Sequence, residues 1–333
     1  MFVSIVVPLF NETESLPVLL ATLTSVLPTT NCDYEIVCVD DGSSDKTPEL
    51  LAEAAAHDRR IKVIRFSRNF GHQAAVTAGI DFATGDAVIV MDADLQDPPE
   101  LIPEMIAQYR NGYHIVSPQR IKREGDSLSK RFLAAAFYKL MRRMVDRRLL
   151  PEVGDFRLFS REAILAIRSF REQHRFMRGI VAWLGLREAI LPFERHPRYA
   201  GSTKYPLWKS LRFAWTAMVS FSALPLRLTV TWGLLVACAG ALYAAFSAYQ
   251  ALILHITVPG WTSLVCIVTF FSGNILIAIG LVGEYVAHIF EESKDRPLYV
   301  VSCLMNVEET RTPQRAIIVH TPSPREMKVI SMK

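Results

Sequence analysis

The chain has 333 residues, half of them hydrophobic, and its mean hydropathy is +0.21. That length allows roughly two domains with a sizeable core, and the hydropathy is high for a wholly soluble enzyme. A net charge of +4 decides nothing alone, while five scattered cysteines (Cys32, Cys38, Cys238, Cys266, Cys303) without a CxxC pair exclude a zinc or disulfide framework and fit a reducing compartment.

The opening "MFVSIVVPLF" lacks the basic start of a signal peptide, and its apolar run is of strand length. Through residue 118, short β-branched runs alternate with helical stretches. Strands are predicted at Val3–Val7, Glu35–Val39, Lys62–Phe66, Ala87–Met91 and His114–Ser117. Helices are predicted at Ser15–Val26, Thr47–Ala56, Gln73–Phe82 and Pro99–Arg110. Near-continuous apolar strands separated by helices imply an α/β fold whose mainly parallel sheet is covered on both faces. Ligands of such sheets bind beyond the carboxyl ends of the strands. Those ends carry Pro8-Leu9-Phe10-Asn11-Glu12, Asp40-Asp41-Gly42-Ser43, Arg68-Asn69-Phe70-Gly71 and Asp92-Ala93-Asp94. Acidic and amide groups converge there.

The fourth of these ends, "VIVMDADLQDPP", poses a choice: the acids hold a cation, or they cap the next helix. Asp97 before Pro98-Pro99 suits a cap. Asp92 and Asp94 come too early for that. Two carboxylates at i and i+2, splayed by a turn, can share Mg²⁺ or Mn²⁺ that also grips a diphosphate.

Beyond residue 118 the chain becomes basic and then apolar. In "SKRFLAAAFYKLMRRMVDRR", Leu133, Phe137, Leu140 or Met141, and Met144 share one helical face, and seven Lys and Arg residues supply the rest. A basic amphipathic helix of this kind lies on anionic membrane. "LWKSLRFAWTAMVSF" (207–221), with Trp208 and Trp215, resembles an interface belt. Leu228–Leu254 and Thr257–Gly283 contain no charged residue, and each exceeds the ~20 residues that span a bilayer. Lys204, Lys209, Arg212 and Arg227 precede the pair, Lys294 and Arg296 follow it, and the hairpin between has neither Lys nor Arg. The positive-inside rule places both ends, and the α/β domain, in the cytoplasm. Small residues of the first span (Ala237, Ala239, Gly240, Ala241, Ala244, Ala245) permit close helix packing and predict a homo-oligomer. After Ser302 the tail shows little pattern.

The motifs "SIVVPLFNE", "VDDGSSDKT", "SRNFGHQAAVTAGID", "VMDADLQDPPE", "GDFRLFSREA" and "RFMRGIVAWLG" resemble those of the polyprenyl-phosphate glycosyltransferases. Within that family the chain is most similar to the bactoprenol glucosyltransferases of O-antigen modification, and it is related to dolichol-phosphate mannose synthase. The resemblance runs from residue 2 to about 302. It implies a Rossmann-like GT-A domain plus two C-terminal transmembrane helices. Residues 1–118 form its nucleotide-sugar half and 119–203 its acceptor half. An interfacial helix follows at 204–226, then spans at 227–255 and 258–286 and a cytoplasmic tail at 287–333. It further implies that Pro8, Phe10, Glu12, Val39 and Asp41 bind the uridine of a UDP-sugar. Asp92, Asp94 and Gln96 take the metal, with Asp92 also catalytic beside the catalytic carboxylate Asp155. Arg120, Arg131, Arg198 and Lys204 are candidates for the phosphate of the lipid acceptor. Two departures show: Ala135 stands where mannose synthases carry Ser, and Phe10 where Tyr is common.

The resemblance implies an inverting enzyme of the bacterial inner membrane that loads undecaprenyl phosphate, followed by a flippase and a periplasmic glycosyltransferase, with no nucleic-acid partner. Chemistry read from the residues agrees: a leaving diphosphate needs a cation, and a phosphate acceptor hardly needs deprotonation. Asp155 then orients or stabilises more than it abstracts. Three alternatives fit worse. A processive polysaccharide synthase needs Q-x-x-R-W, which is missing; a non-enzymatic scaffold predicts eroded acids; an oxidoreductase needs GxGxxG after the first strand.

Overall fold

The computed structural model describes residues 1–121, 148, 150, 153–194, 224–253, 260–307 and 317–318. Its centre is built from the β-branched runs. These form β1 (Phe2–Leu9), β2 (Asp33–Asp40), β3 (Ile61–Phe66) and β4 (Ala87–Val90), all mutually parallel, with β1 between β2 and β4. β1 and β2 are buried along almost their whole length, as expected of strands covered on both faces. The pleat sends alternate residues of β1 to opposite faces. Val3, Ile5, Val7 and Leu9 pack with Leu16, Leu19 and Leu23 of α1 (Leu16–Val26), Leu51 of α2 (Thr47–His57), and Ile102, Met105 and Ile106 of α4 (Ile102–Arg110). On the other face lies α3 (His72–Phe82). There a Cβ at Gly79 would collide with the side chain of Val6, so glycine alone lets α3 lie flush on β1.

The sheet is larger and more mixed than the near-continuous apolar strands predict. β5 (Ile115–Arg120), β6 (Arg157–Ser160), β7 (Glu188–Phe193), β8 (Val300–Met305) and β9 (Ile317–Ile318) complete the order β7-β5-β6-β4-β1-β2-β3-β8-β9. β6 runs antiparallel between β4 and β5, and β8 runs antiparallel to β3. The residues around Ser302 therefore belong to the sheet, with Val301 and Leu304 buried, where the sequence shows little pattern. α5 (Arg161–Ser169) follows β6 directly and is capped by Ser160, whose Oγ accepts from Ala163 N at 3.3 Å. α6 (Met177–Leu184) precedes β7.

Two units emerge: residues 1–206 with 296–333, and residues 207–295. The second contains α7 (Leu224–Leu252) and α8 (Trp261–Ser293). Leu224–Ser247 and Phe270–Ser293 are long and apolar enough to cross a membrane, with hydropathies of 1.7 and 1.6. Trp232 Nε1 donates to Asn274 Oδ1 at 2.9 Å, satisfying a polar pair between these two apolar helices. The amphipathic stretch at 130–148, apart from Arg148, and the 207–221 segment lie outside the described residues.

At the amino ends of the strands a buried knot ties β1, β2 and β3 to the turn before β4. Glu35 is ion-paired with Lys62, accepts from Ser4 Oγ at 2.5 Å, and accepts from Thr84 N and Oγ1 at 2.7 and 2.9 Å. Burial alone raises its pKa, but Lys62, Ser4 and Thr84 outweigh it and hold the carboxyl below the ordinary glutamate value. A carboxyl depressed on folding stabilises above its unfolded pKa and loses that contribution as pH falls through the folded value. Glu35→Ala is expected to cost about 3–5 kcal/mol at neutral pH by stranding a buried partner. In thermal unfolding scans from pH 7 to pH 3, the gap between wild type and Glu35→Gln should narrow towards acid.

Candidate active site

The carboxyl ends of β1, β2, β3 and β4 open on one crevice, and hydrogen bonds between their loops shape it. Asn11, in the left-handed region at φ 56°, accepts from Ser44 N through Oδ1 at 2.9 Å and donates its own N–H to Ser43 Oγ at 2.9 Å. Glu12 N donates to Thr47 Oγ1 at 2.9 Å, and Glu12 Oε2 accepts from Ser15 Oγ at 2.6 Å. The loop after β1 is thereby zipped to the loop after β2. A second clasp joins the loop after β2 to the loop after β3. Asp41 Oδ1 accepts from Phe70 N at 2.7 Å, and its Oδ2 accepts from Gly71 N at 3.0 Å. Burial raises the Asp41 pKa, opposed by these two amides. Gly42, at φ +68°, lies so close to the backbone of Arg68 and Asn69 that a Cβ would sit 2.5 Å from Arg68 C, so both conformation and space require glycine here.

The predicted uridine contacts fall on these loops with unequal access. Pro8 and Val39 are register partners in β1 and β2, and both are buried. The side chain of Val39 is therefore core, and a contact from it falls to the backbone. Phe10 is 38% exposed at the rim, and Glu12 is half-buried.

At the end of β4 the strand period continues past the last ladder bond. Met91 and Ala93 are buried, while Asp92 and Asp94 are half-exposed toward the crevice. Leu95 then turns through φ 58°, and Gln96 N donates to Asp94 Oδ1 at 3.1 Å. The 3₁₀ turn that follows, Pro99–Leu101, has no side-chain cap. Asp97 does not cap it, as the sequence allows, but lies with Oδ1 3.6 Å from Arg120 Nη2.

Asp155 lies on the segment before β6, next to the end of β5, where Val153 bridges Gln119. Its side chain is 11% exposed, and three donors reach it among the described residues. His72 Nε2 stands 3.3 Å and Gln73 Nε2 3.1 Å from Oδ2, and Arg178 Nε donates to Oδ1 at 3.2 Å. Burial opposes ionisation, but Arg178 and His72 overcome it and hold Asp155 far below the ordinary carboxylate range. His72 also lies 3.7 Å from Asp92 Oδ1 and so joins the two acids. Burial works against its charge, yet the hydrogen bond to Asp155 and the fields of Asp92 and Asp155 push it up to about 9. Asp92 is raised by burial and by Asp155 and Asp94, with His72 and Arg120 pulling the other way.

The structure thus brings Asp92, Asp94 and Asp155 to one place. Arg120, expected at the acceptor phosphate, turns to Asp97 and lies beside Gly154. Arg131, Arg198 and Lys204 lie outside the described residues. His72, Gln73 and Arg178 were not predicted, although His72 and Gln73 sit in "SRNFGHQAAVTAGID" and Arg178 in "RFMRGIVAWLG". One signal could have found the first two: a helix that follows a parallel strand begins at the crevice, and α3 begins at His72.

The clasp around Asp41 has a measurable signature. Asp41→Ala removes the acceptor for two amides, each bond worth about 1 kcal/mol net. Hydrogen exchange at Phe70 and Gly71 should quicken by roughly five- to tenfold, with exchange in β1 unchanged.

The description "Glycosyl transferase family 2" matches residues 4–168. A glycosyltransferase of Synechocystis is 44% identical over 92% of this chain and 96% of its own length. The bactoprenol glucosyl transferase of Shigella phage SfV is 39% identical over 90% and 98% respectively, and the prophage bactoprenol glucosyl transferase homolog of Escherichia coli K12 is 38% identical over the same shares. Among solved structures, mannosyl-3-phosphoglycerate synthase of Rubrobacter xylanophilus gives a TM-score of 0.45 at 19% identity, covering 68% of this chain and 74% of that one. The chain belongs to glycosyl transferase family 2, as a GT-A-like α/β enzyme carrying two apolar helices near its carboxyl end.

Proposed function

We propose that this enzyme moves glucose from UDP-glucose to undecaprenyl phosphate, with inversion at the sugar. One observation carries the reading: Asp92 and Asp94 close β4 beside Asp155 in a chain whose full-length relatives at 38–39% identity are named for bactoprenol glucosylation. The uridine lies along the β1 and β2 loops, with Pro8, Phe10, Glu12, the backbone of Val39, and Asp41 as its wall.

The donor set fits a divalent cation of the magnesium or manganese kind. Among the described residues no group of three His, Cys, Asp or Glu side chains forms a metal cage. Such ions keep water and substrate phosphates in their shell and need only one or two carboxylates. Asp92 and Asp94, both half-exposed beyond β4, supply that together with Gln96. When bound, the ion neutralises the diphosphate that departs as the bond from sugar C1 to UDP breaks.

This chain's own groups do the rest. A phosphate oxygen of the acceptor attacks C1 from the opposite face and needs no base, because it is already an anion. Asp155, held ionised by Arg178 and His72, would be a poor base and serves to fix those cations. Arg120, Arg131, Arg198 and Lys204 are the proposed contacts of the acceptor phosphate, Arg120 after leaving Asp97. The proposed setting is the bacterial inner membrane with α7 and α8 as spans, both chain ends cytoplasmic, and the enzyme self-associated. A flippase and a periplasmic glycosyltransferase would use the product.

Membranes containing the enzyme, incubated with each radiolabelled UDP-sugar and undecaprenyl phosphate, should convert UDP-glucose into a lipid-soluble, mild-acid-labile product. EDTA should abolish this and Mg²⁺ or Mn²⁺ restore it. Asp94→Asn should lower turnover by roughly 100-fold or more while the unfolding temperature holds. Normal turnover in that variant would remove the metal assignment.

A further inference from the structure

Gln73 has no role in the reaction as set out so far, yet its amide is used at both ends. Nε2 donates to Asp155 Oδ2 at 3.1 Å, and Oε1 accepts from the backbone N–H of Met177 at 3.2 Å. The partners fix which end is which. A carboxylate only accepts and a main-chain N–H only donates, so the flipped amide would face acceptor to acceptor and donor to donor. Met177 opens α6, and the next residue, Arg178, donates from Nε to Asp155 Oδ1 at 3.2 Å. The hydrogen bonds therefore close a ring: Gln73 to Asp155, Asp155 to Arg178, and the start of α6 back to Gln73. Each partner comes from a different part of the chain, 82 and 104 residues away from Gln73. A helix residue that merely satisfied its own terminus would bond within its own turn.

We propose that Gln73 is the positioning residue of the transfer site, locking the Asp155 carboxylate to the first turn of α6 so that Asp155, Arg178 and His72 keep one geometry. The physical need is specific. His72 and Gln73 both bond the same oxygen, Oδ2, and Arg178 takes the other. Without the Gln73 amide, His72 is the remaining hydrogen-bond partner of Oδ2 among the described residues. The Met177 N–H loses its acceptor at the same time, so α6 can drift with Arg178. A site whose acid aligns cations is sensitive to such drift, because a shift of about 1 Å can cost roughly 100-fold in rate. The catalytic consequence rests on the proposed sugar transfer; the ring itself does not.

The test uses the full-length enzyme in nanodiscs and two variants, Gln73→Ala and Gln73→Glu. Hydrogen exchange at Met177 and Arg178 should quicken by roughly tenfold in Gln73→Ala, independent of any assay of transfer. The kcat for lipid-linked glucose should fall by roughly 10- to 100-fold, while the Kd for UDP stays within about twofold of wild type. Gln73→Glu keeps the size but sets acid against acid, so it should lose at least as much at neutral pH. Relative to wild type it should recover as pH falls and the new carboxyl gains a proton to donate. Three results would overturn the inference: unchanged exchange at Met177, wild-type kcat in Gln73→Ala, or a joint fall of kcat, UDP affinity and melting temperature. If the wild type itself makes no lipid-linked sugar, the functional reading fails, and the exchange experiment still judges the ring.

Discussion

The whole crevice depends on how closely α3 approaches β1. The absence of a side chain at Gly79 sets that distance against Val6, and both ends of α3 are then put to use. At the amino end, His72 and Gln73 reach Asp155. At the carboxyl end, Asp81 takes a bidentate contact from Arg171 at 2.7 and 2.9 Å and a hydrogen bond from Tyr299 at 2.8 Å. Tyr299 also stacks on Phe66 of β3, with ring centroids 5.1 Å apart. α3 is thus a rod clamped at its far end by segments from two distant parts of the sequence. A larger residue at 79 would have to push α3 off β1, since a Cβ there would sit 2.1 Å from the Val6 side chain.

The electrostatics divide the acids into two kinds. Asp155 is over-supplied with donors and cations, so its charge is permanent and its work is to hold others in place. Asp92 is pushed upward by burial and by neighbouring acids, with only partial relief from His72 and Arg120. One imidazole, that of His72, lies 3.7 Å from Asp92 Oδ1 and 3.3 Å from Asp155 Oδ2 and so couples the two acids.

How much of this was legible in the sequence follows from the range of the forces involved. The four parallel strands and α1 to α4 are local patterns, and each was found within a few residues of its place. β6 was missed because RLFS is four residues long with a polar residue at either end; it becomes a strand only through pairing with β4 and β5. Its Arg157 is buried and bonds Gly154 O at 3.3 Å, a tertiary compensation no local pattern announces. β8 was read as patternless because its partner, β3, lies more than 200 residues earlier in the chain. At the site, Asp92, Asp94 and Asp155 were legible as acids at strand ends and in quoted motifs. Gln73 was not, because an amide declares its purpose only through the two partners it joins. The expected phosphate role of Arg120 met a competitor, Asp97, that sequence spacing had assigned to a helix cap.

β8 also constrains the membrane topology more tightly than charge does. β7 ends at Phe193 and β8 begins at Val300, and both are strands of the same sheet. α7 and α8 lie between them in sequence. One hydrogen-bonded sheet cannot straddle a bilayer, since its strand edges would be left unpaired in hydrocarbon. The chain between Phe193 and Val300 must therefore cross an even number of times, whatever its remaining residues do. If α7 and α8 both span, the two strands they separate face the same compartment. The distribution of Lys and Arg bears on which compartment that would be, whereas the parity comes from β8 pairing with β3. For a helix pair that spans, the pairing of β8 with β3 would thus require the chain to return to the side it left.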